Sequence, residues 1–92
     1  GFPVTEGHLL FVPKTTEHVN IVQCFAAAMN WGNQGVSNGD FEGYNVGFNN
    51  GKEAGQTVFW PHVHLIPRRK GDVEDPRGGV RHVIPRKGNY KV

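Results

Sequence analysis

The strongest pattern along this chain is a helical one. Asn20 suits the start of a helix, with Gln23 three residues later as in a capping box, and the run 37–40, Ser-Asn-Gly-Asp, is typical of a helix end. Gly32 and Gly35 are expected to weaken its second half. Between the two ends, apolar or small residues recur at the spacing of one helix face. They are Ile21, Val22, Phe25, Ala28, Met29 and Gly32. The pattern predicts one amphipathic helix, with Phe25 and Met29 in a core.

Short apolar runs on both sides of this helix predict β-strands. They cover residues 8–12, 43–49, 56–59 and 62–66. Trp60-Pro61 is expected to bend the chain between the last two runs, because proline has no N–H for a sheet ladder. Pro67 is expected to end the last strand. A helix between strands with short connections predicts an α+β fold with an antiparallel sheet.

The charge of the chain changes after Pro67. Two lysines stand against five carboxylates before that point, and eight arginines and lysines stand against three carboxylates after it. We expect residues 71–92 to form a basic, Gly- and Pro-rich tail that is mostly irregular, although 80–85 is compatible with a short strand. Such a tail attracts phosphate groups. Nucleic acid is therefore a candidate partner, though not the favoured one, and a merely solvated tail is the alternative.

The composition is that of one small domain, residues 1–92, with a core over about 2–70. A chain this short buries only part of its surface, so we expect a homodimer. The single Cys24 excludes an internal disulfide and is expected to be buried. No apolar run approaches the roughly 18 residues of a membrane span, and no signal peptide is visible. We therefore expect a cytoplasmic protein without membrane contact.

The candidate chemistry lies in His62 and His64. They are one residue apart in a predicted strand, so both side chains point to the same face. The glycine-bearing turn 51–57 precedes them and can present backbone N–H groups to an anion. Imidazole is a competent nucleophile at neutral pH, so the pair suits phosphate chemistry. Two alternatives remain: structural histidines, or a zinc pair completed by His8, His18, His82, Cys24 or distant carboxylates. His8 by itself is interpreted as structural.

Three stretches resemble the histidine triad (HIT) family. Residues 55–58 are Gly-Gln-Thr-Val, and His62-x-His64-x-x-Pro67 follows them. Residues 7–14 read Gly-His-Leu-Leu-Phe-Val-Pro-Lys and residues 45–51 read Asn-Val-Gly-Phe-Asn-Asn-Gly. All three are similar to family motifs in order and spacing, and together they span about residues 2–70. The departure is Trp60, which stands where the family has the first histidine of its triad.

The resemblance implies a fold and a set of roles. The fold is half of a ten-stranded antiparallel sheet that a second subunit completes, with the family's N-terminal segment absent before Phe2. His62 corresponds to the nucleophile that forms a nucleotidyl-histidine intermediate, and His64 to the histidine that contacts the α-phosphate. Independently of the resemblance, a tryptophan such as Trp60 is more often a packing residue, and stacking on a base at the mouth of the site is the alternative role. The positions that match phosphate contacts are His18, Asn49, Gly55, Gln56 and Thr57.

The sequence therefore predicts a HIT-like nucleotide hydrolase or transferase. Its substrate would be a nucleotide with a phosphoanhydride or phosphoramidate bond at a nucleoside monophosphate, as in a dinucleoside polyphosphate hydrolase. The predicted reaction uses no cofactor and no metal ion. One alternative is a nucleotide- or nucleic-acid-binding protein that has lost turnover. A second alternative is a metal-binding structural protein.

Overall fold

A computed structural model describes residues 3–88, and these residues form an α+β fold. The strands are β1 (Leu9–Phe11), β2 (Gly43–Gly47) and β3 (Val63–Arg68), and the helix is α1 (His18–Ser37). Short 3₁₀ helices occupy Lys52–Ala54 and Gly79–Val83. The sheet order is β1-β3-β2, and both strand pairs are antiparallel. The predicted fold class is thus confirmed, with three strands in the described part of the chain.

The central strand β3 gives the sheet its two different faces. Val63, Leu65 and Pro67 are buried, whereas the residues between them are only half buried. This alternation follows from the two-residue period of a strand. Helix α1 covers the buried face, where Ala28 packs with Val63 and Leu65. His64 lies on the opposite face of β3, and this strand is paired with β1 on one side and with β2 on the other.

Helix α1 is longer than the sequence pattern predicts. It begins at His18, with Glu17 at the N-cap position, and continues through both internal glycines to Ser37. A Cβ on Gly32 would lie within 2.7 Å of the Tyr44 ring, and a Cβ on Gly35 within 2.4 Å of the Phe41 ring. The two glycines therefore let the aromatic rings approach the helix. Glycine costs about 1 kcal/mol relative to alanine in a helix, and at these two positions it provides the space that each ring occupies.

Two residues of the predicted helix face behave differently. Phe25 is half buried and packs against the core, as expected, together with the half-buried Cys24. The prediction for Met29 is wrong, because half of its surface is exposed. Met29 lies one position beyond Ala28, and in the structure the helix turns Ala28 to the sheet.

The segment before β3 differs from the predicted strand. Residues 58–60 form bends and residues 56–57 and 61–62 have no regular structure, so the strand expected over 56–59 is absent and β3 begins only at Val63. Pro67 does not end β3. It pairs with Tyr44 of β2, while the pairing with β1 has already stopped at Leu9 and Leu65. No β1 partner is opposite Pro67, so its missing N–H costs the sheet nothing on that side.

The structure of the tail also differs from the one that its sequence suggests. The run 80–85 is compatible with a strand by sequence, but Gly79–Val83 is a 3₁₀ helix. Gly78 and Gly79 have φ values of 95° and 51°, which turn the chain sharply before it can extend. Within residues 3–88, neither α1 nor the shorter helices are long and apolar enough to cross a membrane.

Candidate functional site

Three histidines meet on the face of the sheet opposite α1. His8 precedes β1, His62 precedes β3, and His64 lies within β3. The ring centroids of His8 and His64 are 5.3 Å apart, and those of His62 and His64 are 5.1 Å apart. The spacing in the sequence predicts the His62–His64 pair. Sequence reasoning missed His8 as part of the site, although its place in the Gly7–Lys14 motif carried the signal.

The hydrogen bonds of His8 determine its tautomer. The backbone N–H of Val4 donates to Nδ1 of His8 over 3.1 Å. A backbone N–H can only donate, so Nδ1 of His8 must be unprotonated. Nε2 therefore carries the proton of His8 and donates it to Nδ1 of His64, 3.0 Å away.

His64 is in turn left with one protonated nitrogen. Because its Nδ1 accepts from His8, the neutral ring carries its proton on Nε2. That atom is buried and has no hydrogen-bond partner among residues 3–88. Burial lowers the pKa of His64, and the neighbouring His62 and His8 lower it further. His64 is therefore a neutral donor at pH 7, and its ring borders a cavity.

His62 has the opposite arrangement. Its Nδ1 lies 3.0 Å from the carbonyl oxygen of Trp60. A carbonyl oxygen can only accept, so Nδ1 of His62 carries the proton and Nε2 carries the lone pair. The nitrogen that can attack and the nitrogen that can donate thus lie on adjacent rings. The acceptor for His62 is a backbone atom, and it does not depend on the side chain at position 60.

Trp60 is held by its own hydrogen bond. Its indole Nε1–H donates to the carbonyl oxygen of Pro13 over 2.9 Å, which ties the bend before β3 to the segment that follows β1. Its side chain remains 46% exposed, and the neighbouring Phe59 is more exposed still. The structure thus leaves an aromatic surface beside His62, and base stacking at Trp60 stays a prediction.

Gln56 forms hydrogen bonds within the glycine-bearing turn 51–57, which is the predicted phosphate-binding loop. Its Oε1 accepts from the N–H of Gly51 over 2.8 Å, and its Nε2 donates to the carbonyl oxygen of Val58 over 3.1 Å. Both ends of this buried amide therefore bond to the loop backbone. Gly55 and Thr57 are exposed beside it. In the observed arrangement Gln56 shapes the loop, and a role as a direct phosphate contact stays a prediction.

The remaining predicted residues fall in two places. Asn49 is exposed and borders the same cavity as His8 and His64. His18 is the exposed first residue of α1 and takes no part in the hydrogen bonds and ring contacts that join the other three histidines. The structure therefore places Asn49 near the site and gives His18 no contact with the cluster.

A cavity of about 440 Å³ opens beside His8 and His64, and His62 is not among its lining residues. One side is the sheet face, and the other side is formed by the tail. Its principal lining residues are His8, Asn45, Val46, Asn49, His64, Ile66, Val80, His82 and Val83. No group of three or more His, Cys, Asp or Glu side chains within residues 3–88 is arranged to hold a metal ion. The metal-binding alternative therefore has no ligand set in this part of the chain.

The sequence matches the HIT domain over residues 1–71. The chain belongs to the HIT family. Adenylylsulfatase HINT3 from Arabidopsis thaliana is 32% identical over 78 residues, which are 76% of this chain and 39% of the relative. Bis(5'-adenosyl)-triphosphatase from Dictyostelium discoideum is 35% identical over 82 residues, 79% of this chain and 54% of the relative. The chain thus spans about half or less of these relatives.

A solved structure confirms the fold. A zinc-bound histidine triad family protein from Mycobacterium smegmatis superimposes with a TM-score of 0.69 and 35% identity. The match covers 76% of this chain and 56% of that protein. The recognition of the family from the three sequence motifs is therefore confirmed, and so is the α+β architecture.

The tautomers can be tested by nitrogen NMR. At pH 7 we expect the protons on Nε2 of His8, Nε2 of His64 and Nδ1 of His62, because each assignment follows from a partner that can only donate or only accept. Long-range ¹H–¹⁵N spectra distinguish the two neutral tautomers directly. A proton on Nδ1 of His64 would contradict the chain of hydrogen bonds described above.

The same spectra followed against pH test the environment of His64. We expect its midpoint below the ordinary value of 6.5, because burial and two histidines oppose its protonation. The unfolded chain then takes up this proton first, so the free energy of unfolding should decrease as the pH falls below 6.5. In the His8→Phe variant, one of the opposing groups is gone and the midpoint should rise. A wild-type midpoint above 6.5 would be inconsistent with this environment.

Proposed function

We propose that this chain carries the catalytic centre of a nucleotide hydrolase or transferase. The bond cleaved is a phosphoanhydride or phosphoramidate at the α-phosphorus of a nucleoside monophosphate. The observation that carries the proposal is the opposed protonation of two adjacent rings. His62 offers the lone pair of Nε2, and His64 offers the N–H of its own Nε2. A nucleophile beside a preorganised donor is what phosphoryl transfer requires.

In the first step, Nε2 of His62 attacks the α-phosphorus. The new P–N bond forms as the bond to the leaving group breaks, and the leaving group takes the electron pair and then a proton from water. The ring of the nucleotidyl-histidine is positively charged, since Nδ1 keeps its proton. The carbonyl oxygen of Trp60 stabilises that charge through the existing hydrogen bond.

In the second step, water attacks the same phosphorus and His62 leaves with its electron pair. The products are a nucleoside monophosphate and the regenerated neutral imidazole, and the proton from water goes to solvent. In both steps negative charge grows on the non-bridging oxygens. The N–H of His64 is directed by His8 and can donate to one of them.

The relatives support the substrate class. Their names, adenylylsulfatase and bis(5'-adenosyl)-triphosphatase, both specify an adenylyl or adenosyl group. An adenine nucleotide is therefore the first substrate to test. The rival function, nucleotide binding without turnover, differs only in lacking the covalent intermediate, so trapping that intermediate distinguishes the two.

The roles of the two histidines can be separated by substitution. His62→Asn should abolish turnover of adenosine phosphoramidate and the labelled AMP adduct, because the attacking nitrogen is removed, while AMP binding stays within a few-fold. His64→Ala should lower the rate by about 10²–10³, as expected for one donor to a developing oxyanion. Calorimetric AMP binding and thermal melting serve as controls. Near-normal turnover in His62→Asn would rule out the assigned nucleophile.

Trp60 provides a second test. Because the backbone carbonyl of residue 60 orients His62 whatever the side chain is, Trp60→His should change the rate by less than about tenfold, well below the 10²–10⁴ of general acid–base assistance. Trp60→Phe is the matched control, since it keeps an aromatic ring and removes the hydrogen bond to Pro13. If the wild type binds AMP without adduct or product, and Trp60→His restores both, the first triad position is essential.

We also propose that the chain forms a homodimer. Helix α1 leaves several large apolar side chains exposed, and β2 has one unpaired edge in the described sheet. These features support self-association through α1 and β2. Light scattering should give twice the 10.2 kDa of one chain. Trp31→Glu, which places a charge on α1, should shift the mass toward the monomer, whereas Val73→Glu in the tail should not. A wild-type monomer at micromolar concentration would contradict the proposal.

A further inference from the structure

The turn that carries His8 is closed by two hydrogen bonds of its own. The N–H of His8 donates to the carbonyl oxygen of Thr5 over 3.1 Å, and the N–H of Val4 donates to Nδ1 of the His8 ring over 3.1 Å. The second bond exists only while Val4 and the imidazole keep one relative position. The turn 4–8 is mostly exposed, and a segment with few buried contacts opens easily. Bonds from outside the turn therefore matter for the position of Val4.

Arg69 provides such bonds. It directly follows β3, and Nη1 of its guanidinium donates to the carbonyl oxygen of Glu6 over 2.9 Å and to Oγ1 of Thr5 over 3.0 Å. Both acceptors lie between Val4 and His8, the two residues whose bond sets the tautomer of His8. The N–H groups of an arginine are fixed in the plane of the guanidinium, so donating to two acceptors restricts the positions of both.

Arg69 is itself held by contacts that do not involve the turn. Its backbone N–H donates to Oδ2 of Asp72 over 3.0 Å, and its carbonyl oxygen accepts from the N–H of Asp72 over 3.0 Å. Its guanidinium carbon lies 5.9 Å from the centroid of the Phe41 ring, which is an attractive position for a cation. The Phe41 ring in turn packs closely on Gly35 of α1. The guanidinium therefore transmits the position of the sheet end and the helix to the turn 4–8.

We propose that Arg69 is a positioning residue for the candidate catalytic centre, and the inference rests on the proposed function. By holding the turn 4–8, Arg69 keeps the N–H of Val4 directed at Nδ1 of His8. That bond places the proton of His8 on Nε2, and the proton of His64 is consequently also on Nε2. A side chain outside the histidine cluster thus determines which nitrogen of His64 can donate to a phosphate oxygen.

A general role in stability predicts a different result. If Arg69 only stabilised the fold, its loss would disturb the three histidines alike. The positioning role predicts a change at His8 and His64 alone, because the proton of His62 depends on the carbonyl oxygen of Trp60. His62 is therefore an internal reference in the same spectrum.

The first experiment is nitrogen NMR at pH 7 on Arg69→Met, which keeps an unbranched side chain and removes the donors. The signals of His8 and His64 should move from one neutral tautomer toward the average of two, while His62 keeps its proton on Nδ1. Arg69→Lys should lie between wild type and Arg69→Met, because an ammonium group can donate but lacks the planar geometry.

Arg68→Met is the matched control. Arg68 is the neighbouring arginine, and its guanidinium donates to Asp72 and Asn45 instead of the turn 4–8. Its replacement should leave all three tautomers unchanged. Thr5→Val removes one acceptor of Arg69 and keeps the shape of the side chain, so it should change His8 and His64 in the same direction by a smaller amount. In the Arg69→Met background, Thr5→Val should add nothing. Thr5→Val also decides the question if Arg69→Met does not fold.

The second experiment measures turnover of adenosine phosphoramidate. Arg69→Met should lower kcat by about threefold to tenfold, less than the 10²–10³ expected for complete loss of the donor, because the donating form is still populated for part of the time. KM should stay nearly constant, since this bond strengthens mainly in the transition state.

Three results would overturn the inference: unchanged tautomers of His8 and His64 in both Arg69→Met and Thr5→Val, an equal change at His62 or in Arg68→Met, or altered tautomers with an unaltered kcat. A wild type that shows the expected tautomer changes on substitution, but forms neither adduct nor product, would retain the control of the tautomers by Arg69 and refute the proposed reaction.

Discussion

The site depends on the hydrogen bond between His8 and His64. It joins the residue before β1 to the second residue of β3, and its direction is imposed from outside the pair by the backbone N–H of Val4. Because that N–H donates to Nδ1 of His8, the proton of the His8 ring lies on Nε2. The neutral His64 ring accepts this proton's hydrogen bond at Nδ1 and therefore carries its own proton on Nε2. The position of the proton on the buried Nε2 of His64, which has no partner among residues 3–88, therefore follows from backbone geometry and two side-chain hydrogen bonds. Burial of His64 adds to the effect, since it lowers the pKa and keeps the ring neutral.

The same logic explains why a tryptophan is compatible with the arrangement of His62. The triad motif suggests that three imidazoles act together, and Trp60 breaks that series. In the structure, position 60 contributes its carbonyl oxygen to His62, and every residue has that atom. The indole instead donates to the carbonyl oxygen of Pro13, in the segment that follows β1. A side-chain change at this position can therefore leave the tautomer of His62 intact.

The face of the sheet on which the site lies is set by the packing of α1. Gly32 and Gly35 let the rings of Tyr44 and Phe41 come against the helix, so α1 lies close over Val63 and Leu65. Since side chains alternate along β3, burying those two residues turns His64 and Ile66 to the other face. On that face, Gly79, Val80, His82 and Val83 of the tail border the same cavity as His8 and His64. The two glycines of α1 thus help to determine which face of β3 carries His64.

The sequence by itself determined the local features of this protein. Apolar periodicity identified the helix and three of the four strands predicted around it, and the three motifs identified the family, because both signals lie in residues close together along the chain. Contacts between distant residues were decided only in the tertiary structure. His8 joins His64 across 56 positions, and Val80 and Val83 of the tail border the cavity beside them. The glycines interpreted as weak points of the helix are contact points for aromatic rings that follow it. Spacing along a strand shows which side chains share a face. It does not show which other segment will pack there, because that depends on how the whole chain closes around its core.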